Sequence, residues 1–340
     1  MKRRLWHHPE FWPVAILVLL WILNAVFTPN FAHLELKDGR LYGSMVDVLN
    51  RGAQVMLLAV GMTIVIASRG IDLSVGSVMA VSGAVAAQLM VVYDQPAAIA
   101  VVAALAVCLA LGFWNGMVVT VVGMQPIVAT LILLVAGRGV AQLITEGQII
   151  TFEQPRFEFL GNGTLLWLPV PIWLVILVAG GVCFVMRVTA VGMYVESVGG
   201  NERAARLCGV RVGAVKLFAY TLGGACAGLA GLIYTANIKA ADPINCGEYL
   251  ELDAILAVVL GGTSLAGGRA RVLGSLAGAL IMQTITTTML MHDVRPEKTL
   301  VVKAVATVLV CLIYTPAFRR VLTALGRRLA PPGRKEIASA

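Results

Sequence analysis

The chain has 340 residues, of which 59% are apolar and only 13% are charged, and its mean hydropathy is +0.87. A water-soluble domain carries about a quarter of charged residues, so the composition excludes an ordinary soluble protein and indicates a chain folded within lipid. The net charge of +8 lies mainly in short segments beside apolar runs, which is typical of membrane topology and does not indicate nucleic-acid binding.

The apolar runs predict about ten membrane-spanning helices. A span needs about 20 apolar residues, and a helix satisfies its own backbone hydrogen bonds in lipid. Six predicted spans precede a long polar stretch in the middle of the chain, and four follow it. Their ranges are 13–27, 53–67, 75–92, 97–122, 127–145, 165–185, 217–236, 254–265, 273–290 and 300–315. The predicted fold class is therefore all-α, a polytopic transmembrane helical bundle.

Charge placement predicts the orientation of this bundle. Residues 1–10 carry a net charge of +2, residues 187–216 carry +3 and residues 319–340 carry +5. Short loops rich in Lys and Arg stay in the cytoplasm, so both termini and the middle loop are expected on that side. We predict a cytoplasmic N-terminal segment at 1–10, a transmembrane domain at 11–318 that includes the cytoplasmic loop 187–216, and a basic cytoplasmic tail at 319–340.

Two glycine-rich breaks interrupt the apolar sequence, SRGIDLSVG at 68–76 and GGTSLAGG at 261–268. Glycine permits tight turns and close helix approach, and interrupted helices often lie near the substrate path of a transporter. Two alternatives stay open, namely a path lining and simple tight turns between packed helices. Asp72 is expected to be an interfacial helix cap or a partner of a helix N-terminal dipole. The candidate path or hinge residues in the breaks are Gly70, Asp72, Ser74, Gly76, Thr263, Ser264, Gly267 and Gly268.

The polar loop at 187–216 contains a predicted short helix with both ends marked. Asn201 is a typical N-cap, and Glu202 and Arg206 suit the positive and negative ends of the helix dipole. Gly209 stands where a left-handed C-terminal stop belongs. We expect this helix to dock into a cytoplasmic partner that drives the protein. The predicted coupling residues are Glu196, Gly200, Asn201, Glu202, Ala204, Ala205, Arg206 and Gly209.

Catalytic motifs are absent from the sequence. It has no G-x-x-x-x-G-K-[ST] loop for phosphates, no H-E-x-x-H and no G-x-S-x-G. The four His and six Cys residues are scattered and predict neither a metal site nor a disulfide. We therefore expect no enzyme activity and no cofactor on this chain.

Four segments together resemble one family. GIDLSVG at 70–76, ATLILLVAGRGVAQLITEG at 129–147, GGNERAARLCG at 199–209 and ELDAILAVVLGGTSLAGG at 251–268 are similar to membrane permeases of bacterial sugar importers of the ATP-binding-cassette (ABC) class. The resemblance covers nearly the whole chain except the tail, follows ribose-type permeases, and is strongest to galactofuranose-type permeases. One departure is Ala270, where a glycine is frequent.

The resemblance implies a multi-pass protein of the bacterial inner membrane, in contact with lipid. It also implies a periplasmic sugar-binding protein, a second permease that is either another copy or a homologue, and a cytoplasmic ATPase that holds ATP and Mg. The short helix, residues 201–209, would fit a cleft of that ATPase.

A neutral sugar would be guided by uncharged polar groups, although each of these also suits bonding between packed helices. Arg138 is expected to snorkel outward or to pair with Glu146, and Lys303 is expected to reach the outer interface. No obvious proton relay is present, which disfavours an ion-coupled secondary transporter. A scaffold or receptor and an amino-acid permease remain as further alternatives. The additional path candidates are Asn115, Gln125, Asn237 and Gln283, with Trp114 as a stacking surface.

Overall fold

The computed structural model describes residues 11–28, 31–37, 40–295, 298, 301–305 and 308. The predicted segment 1–10, the tail 319–340 and most of the predicted span 300–315 lie outside these residues. Besides the helical residues 301–305, twelve α-helices are bounded within the described part of the chain. They are α1 Phe11–Phe27, α2 Ser44–Ala67, α3 Val75–Val91, α4 Ala97–Met117, α5 Pro126–Ile144, α6 Pro155–Asn162, α7 Val170–Val188, α8 Ala190–Gly200, α9 Glu202–Leu207, α10 Val212–Ile238, α11 Leu250–Leu260 and α12 Val272–Met291. Helix α4 continues through a π-helical turn, Val118–Val122.

Short strands close several connections at one end of the bundle. They pair antiparallel as β1 Glu35–Lys37 with β2 Arg40–Tyr42, β3 Ile150–Thr151 with β6 Ala240–Ala241, and β4 Thr164–Leu165 with β5 Leu168–Pro169. We name this the strand end and the opposite side the α9 end. The α9 end corresponds to the predicted cytoplasmic side.

Among the residues that the structure describes, six helices are long and apolar enough to cross a membrane, namely α2, α4 with its π-helical turn, α5, α7, α10 and α12. Helices α1 and α3 are equally apolar but have only 17 residues each. The chain is therefore a multi-pass helical membrane protein. The count of about ten spans stays a prediction, as does the placement of both termini in the cytoplasm.

Helix α10 is the central element of the bundle. It packs against α2, α3 and α4, and most of its residues from Gly223 to Ala236 are buried. Small residues bring the backbones together, because a Cβ added at Gly224 would lie 2.5 Å from the Cys108 carbonyl oxygen of α4. Close backbone approach of this kind is the usual packing mode of helices in lipid.

Helix α11 differs from the predicted span at 254–265. It begins earlier, after Tyr249 in a left-handed conformation (φ +62°), and ends at Leu260, where Gly262 also turns left-handed (φ +84°). With 11 residues it is about 16 Å long, which is roughly half of a 30 Å hydrocarbon core. Helix α11 is therefore a half-length helix.

Candidate functional site

Both predicted ends of the short helix α9 are confirmed. The Asn201 side chain accepts a hydrogen bond from the Ala204 N–H at 3.1 Å. At the other end Gly209 has φ +82°, its N–H donates to the Arg206 carbonyl, and the Val210 N–H donates to the Ala205 carbonyl, each at 3.0 Å. This pair of bonds is a Schellman motif. The six-residue helix is thus fixed at both termini.

Helix α9 is tied to α10 by one carboxylate. Glu202 accepts from Arg206 at 2.6 Å and from Lys216, at the start of α10, at 2.8 Å. The hydrogen bond from Lys216 is the main cause that lowers the pKa of Glu202, and Arg206 adds to it. Ala205, which was predicted as a coupling residue, is also buried. Glu202 and Ala205 therefore hold the helix in place.

The outward surface of α9 includes residues that the sequence analysis missed. Leu207 is 90% exposed, and Arg203 is exposed beside Arg206. Arg69, Asn201 and these two arginines line a cavity of about 380 Å³. Exposed apolar and arginine side chains together are typical of protein-binding surfaces. The exposed side of α9 has the composition of a docking surface.

The two glycine-rich breaks meet beside this surface, at the end of α8. The Gly268 N–H donates to the Ala67 carbonyl at 2.9 Å, and Arg69 Nε donates to the Ala266 carbonyl at 3.0 Å. Glu196 of α8 accepts from the Ala270 N–H at 3.3 Å. Gly199 packs so tightly that an added Cβ would overlap the Ala67 carbonyl oxygen. Because of these contacts, a displacement of α8 and α9 would also displace both glycine-rich breaks.

The first break continues into a buried polar cluster within the bundle. Asp72 accepts from the Ser74 N–H at 2.9 Å and from its hydroxyl at 2.6 Å, so it fixes the turn that leads into α3 but does not cap the helix, whose N-cap residue is Ser74. Asn115 of α4 donates to Ser74 Oγ at 2.8 Å. Tyr220 of α10 fills the space beside Gly70, where an added Cβ would lie 2.6 Å from its hydroxyl. These contacts support the packing alternative for Gly70.

The remaining path candidates occupy separate environments. Gln125 lines a cavity of about 500 Å³ at the α9 end, together with Glu202 and Lys216. Trp114 is 62% exposed. Four other candidates make local hydrogen bonds. Thr263 accepts from the Arg271 N–H, and Ser264 accepts from the Ala266 N–H. The Asn237 backbone carbonyl accepts from Asn162, and Gln283 donates to Thr287. The structure does not gather these candidates into one pocket.

Two cations in apolar helical segments make contacts that the sequence did not predict. Arg138 of α5 donates to the carbonyls of Pro243, Ile244 and Cys246, which precede α11. Lys303 forms an ion pair of 2.6 Å with Asp253 in the first turn of α11. Both cations therefore fix the position of this half-length helix.

Comparison with known proteins shows the family. A family model described as "Branched-chain amino acid transport system / permease component" matches residues 44–312. The chain is 47% identical over 313 residues to the galactofuranose transporter permease protein YtfT of Escherichia coli K12, which covers 90% of this chain and 91% of that protein.

Two further relatives are also matched over most of their length. The fructose import permease protein FruF of Bifidobacterium longum is 36% identical over 94% of this chain and 91% of the relative. The ribose import permease protein RbsC of Escherichia coli K12 is 38% identical over 88% and 91%. No solved structure matches the chain.

The chain belongs to this family of transport permeases. It is a multi-pass membrane permease subunit of an ABC importer and is not itself an enzyme. Membership of the family implies two kinds of partner, an ATPase and a substrate-binding protein.

Proposed function

We propose that this permease imports a monosaccharide of galactofuranose or ribose type across the bacterial inner membrane. The observation that carries the substrate class is the 47% identity to a galactofuranose permease over nine-tenths of the chain. The fructose and ribose permeases support the same class, whereas the family description names branched-chain amino acids. A periplasmic sugar-binding protein delivers the sugar to the strand end.

The proposed coupling runs through α9. A cytoplasmic ATPase that holds ATP and Mg receives the exposed side of α9 in a cleft, and a second permease, either another copy or a homologue, completes the path. When the ATPase pair closes, α9 moves with it. The Glu202–Lys216 ion pair passes the movement to α10, and the contact between Gly199 and Ala67 passes it to the breaks.

A pull-down tests the partners. The tagged chain is purified in mild detergent from its native host, and the bound proteins are identified by mass spectrometry. We expect an ABC ATPase, with or without a sister permease. If the chain is recovered repeatedly alone, under conditions that preserve a known importer, an ion-coupled transporter becomes the better description.

An uptake assay tests the substrate class. A host strain that lacks the chain is compared with the complemented strain for uptake of radiolabelled D-ribose, D-galactose, D-fructose and L-leucine. We expect restored uptake of at least one sugar and no change for leucine. Restored leucine uptake without any sugar uptake would contradict the proposal.

A further inference from the structure

The segment between β6 and α11 turns back into the bundle. Gly247 packs on Gly76 of α3, where an added Cβ at either glycine would lie about 2.5 Å from the other's carbonyl oxygen. One turn further along α3, Met79 contacts Gly231 of α10, seven residues before α10 ends. Gly76 lies three residues before Met79, on the side away from the strand end. The rise of about ten residues at 1.5 Å each therefore places Gly247 about 15 Å below the strand end of α10. The start of α11 is therefore deep in the membrane region.

The turn at this depth is held rigidly. Asp242 Oδ1 accepts from the N–H groups of both Ile244 and Asn245 at 2.9 Å. Arg138 of α5 donates to the carbonyls of Ile244 and Cys246 in the same turn, which gives these two backbone groups a protein partner. The side chains that the turn presents thus have a defined position between α5 and α11.

Three of those side chains point away from the described bundle. Asn245, Glu248 and Tyr249, which we name the re-entrant face, are all exposed, and Tyr249 is 52% exposed. A carboxylate at this depth is expensive against lipid, so such groups face protein or a water-filled space. Beside them, Glu251 Oε2 is buried and has no hydrogen-bond partner among the described residues. The exposed Glu248 carboxylate, and not the buried Glu251 Oε2, therefore suits the re-entrant face to a ligand that brings hydroxyl donors.

We propose that the re-entrant face lines the transport path and binds the passing monosaccharide, an inference that rests on the proposed function. The Glu248 carboxylate and the side-chain oxygen of Asn245 accept hydrogen bonds from sugar hydroxyls. The Tyr249 ring offers an apolar surface to the C–H side of the sugar. Because the face is fixed at the start of a half-length helix, it contacts the sugar midway and does not trap it as a closed pocket does.

The first test measures whether water reaches the face. Glu248→Cys is compared with Val102→Cys on the exposed side of α4, which is 67% exposed, and with Tyr93→Cys in the strand-end loop, which is 62% exposed. A charged methanethiosulfonate is added outside intact cells, and labelling above that of the unaltered chain is read by mass. We expect labelling at 248 and 93 but not at 102. If position 248 is as unreactive as position 102, lipid or a second permease covers it and the proposal fails.

The second test measures uptake of whichever labelled sugar the unaltered importer transports. Glu248→Gln and Tyr249→Ala are paired with the matched controls Glu153→Gln and Tyr93→Ala, which make the same chemical changes in exposed strand-end loops. Loss of a charged hydrogen bond is expected to slow uptake about tenfold. The controls should keep their rate, and all four variants should retain the ATPase in pull-downs.

The two proposals fail in different ways. Wild-type uptake by both Glu248→Gln and Tyr249→Ala would remove the re-entrant face from the path while leaving the importer intact. Absence of any sugar uptake by the unaltered chain would instead overturn the proposed function. The labelling test would still show whether water reaches the re-entrant face, because thiol labelling at 248 requires neither a sugar nor an ATPase.

Discussion

Gly199 and Gly200 are neighbours at the end of α8, but their surroundings differ sharply. An added Cβ at Gly199 would overlap the Ala67 carbonyl oxygen, whereas nothing lies within 4 Å of a Cβ at Gly200. The obstacle at Gly199 is backbone, which cannot move aside as a flexible side chain can. The tight contact between α8 and the first break thus depends on one glycine of the pair.

We predict that Gly199→Ala destabilises the protein by about 1–3 kcal/mol, the usual cost of overpacking. Gly200→Ala is the matched control, and it should leave stability unchanged or slightly raised. Thermal unfolding of the two variants in the same detergent checks this. Equal melting temperatures would show that α8 does not press against Ala67.

The Glu202 carboxylate is the residue whose charge holds α9 on α10. Its pKa is lowered, mainly by the hydrogen bond from Lys216, so the ion pair contributes stability above the unfolded value of about 4.5 and loses it as pH falls below that value. Because the pair is partly exposed to water, its contribution is about 1 kcal/mol or less.

We therefore predict that Glu202→Gln lowers the melting temperature slightly and equally from pH 8 to pH 6. The difference from the unaltered chain should shrink below about pH 4.5, because the unfolded carboxylate binds a proton there, and it should vanish below the lowered pKa of the folded state. Melting curves across this range check the sign. A difference that grows toward acid pH would contradict the assignment of Lys216 as the main partner.

At the scale of elements, α9 transmits movement only if its ends are rigid. Gly209→Pro removes the N–H that donates to Arg206 and forbids the left-handed φ, so the Schellman end of α9 is lost. We predict normal insertion but at least tenfold lower uptake and lower sugar-stimulated ATP hydrolysis. A loss of about 1.4 kcal/mol in coupling is sufficient for that factor.

Gly147 provides the matched control for this variant. It has φ +71°, its N–H donates to the Gln142 carbonyl, and it ends α5 at the strand end, far along the chain from α9. Gly147→Pro makes the same chemical change and should retain coupling between uptake and ATP hydrolysis. Normal uptake by Gly209→Pro would show that α9 is not the coupling element.

Elements set by local signals were predictable, and those set by distant contacts were not. The Asn201 cap and the Gly209 stop depend on residue types a few positions apart, so the sequence predicted both ends of α9. Helix α11 is positioned by Arg138, over 100 residues earlier, and by Gly76, and hydropathy alone cannot distinguish a half-length helix from a span. The path candidates stay predictions, since polar side chains in apolar runs suit packing equally well.

At the scale of the whole molecule, α10 connects the two functional ends. Lys216 receives α9 at its start, Tyr220 packs against the first break, and Gly231 contacts α3 near the level of the re-entrant face. In the proposed mechanism, a shift of α10 relative to α2 and α3 would link ATPase docking to the sugar contact. This arrangement requires the α9 end to lie in the cytoplasm.

Cys208 can test both the cytoplasmic position of the α9 end and the docking of α9, because it is exposed at the C-terminal cap of α9. We predict that a membrane-impermeant maleimide added to intact cells does not label Cys208, whereas it labels Tyr93→Cys in a strand-end loop. In inside-out vesicles stripped of the ATPase Cys208 should react, and Cys208→Ser identifies its share of the signal. Labelling of Cys208 in intact cells would reverse the predicted orientation.

The same vesicles test docking at whole-assembly scale. If the ATPase receives α9 in its cleft, stripping the ATPase from the vesicles should raise Cys208 labelling several-fold, and adding it back should restore protection. A thiol outside the cleft would react equally in both states. Protection that persists after stripping would mean that this chain or the second permease covers Cys208, so the docking surface would have to lie elsewhere. Protection that follows the ATPase would place the contact within one residue of Leu207, the most exposed apolar side chain of α9.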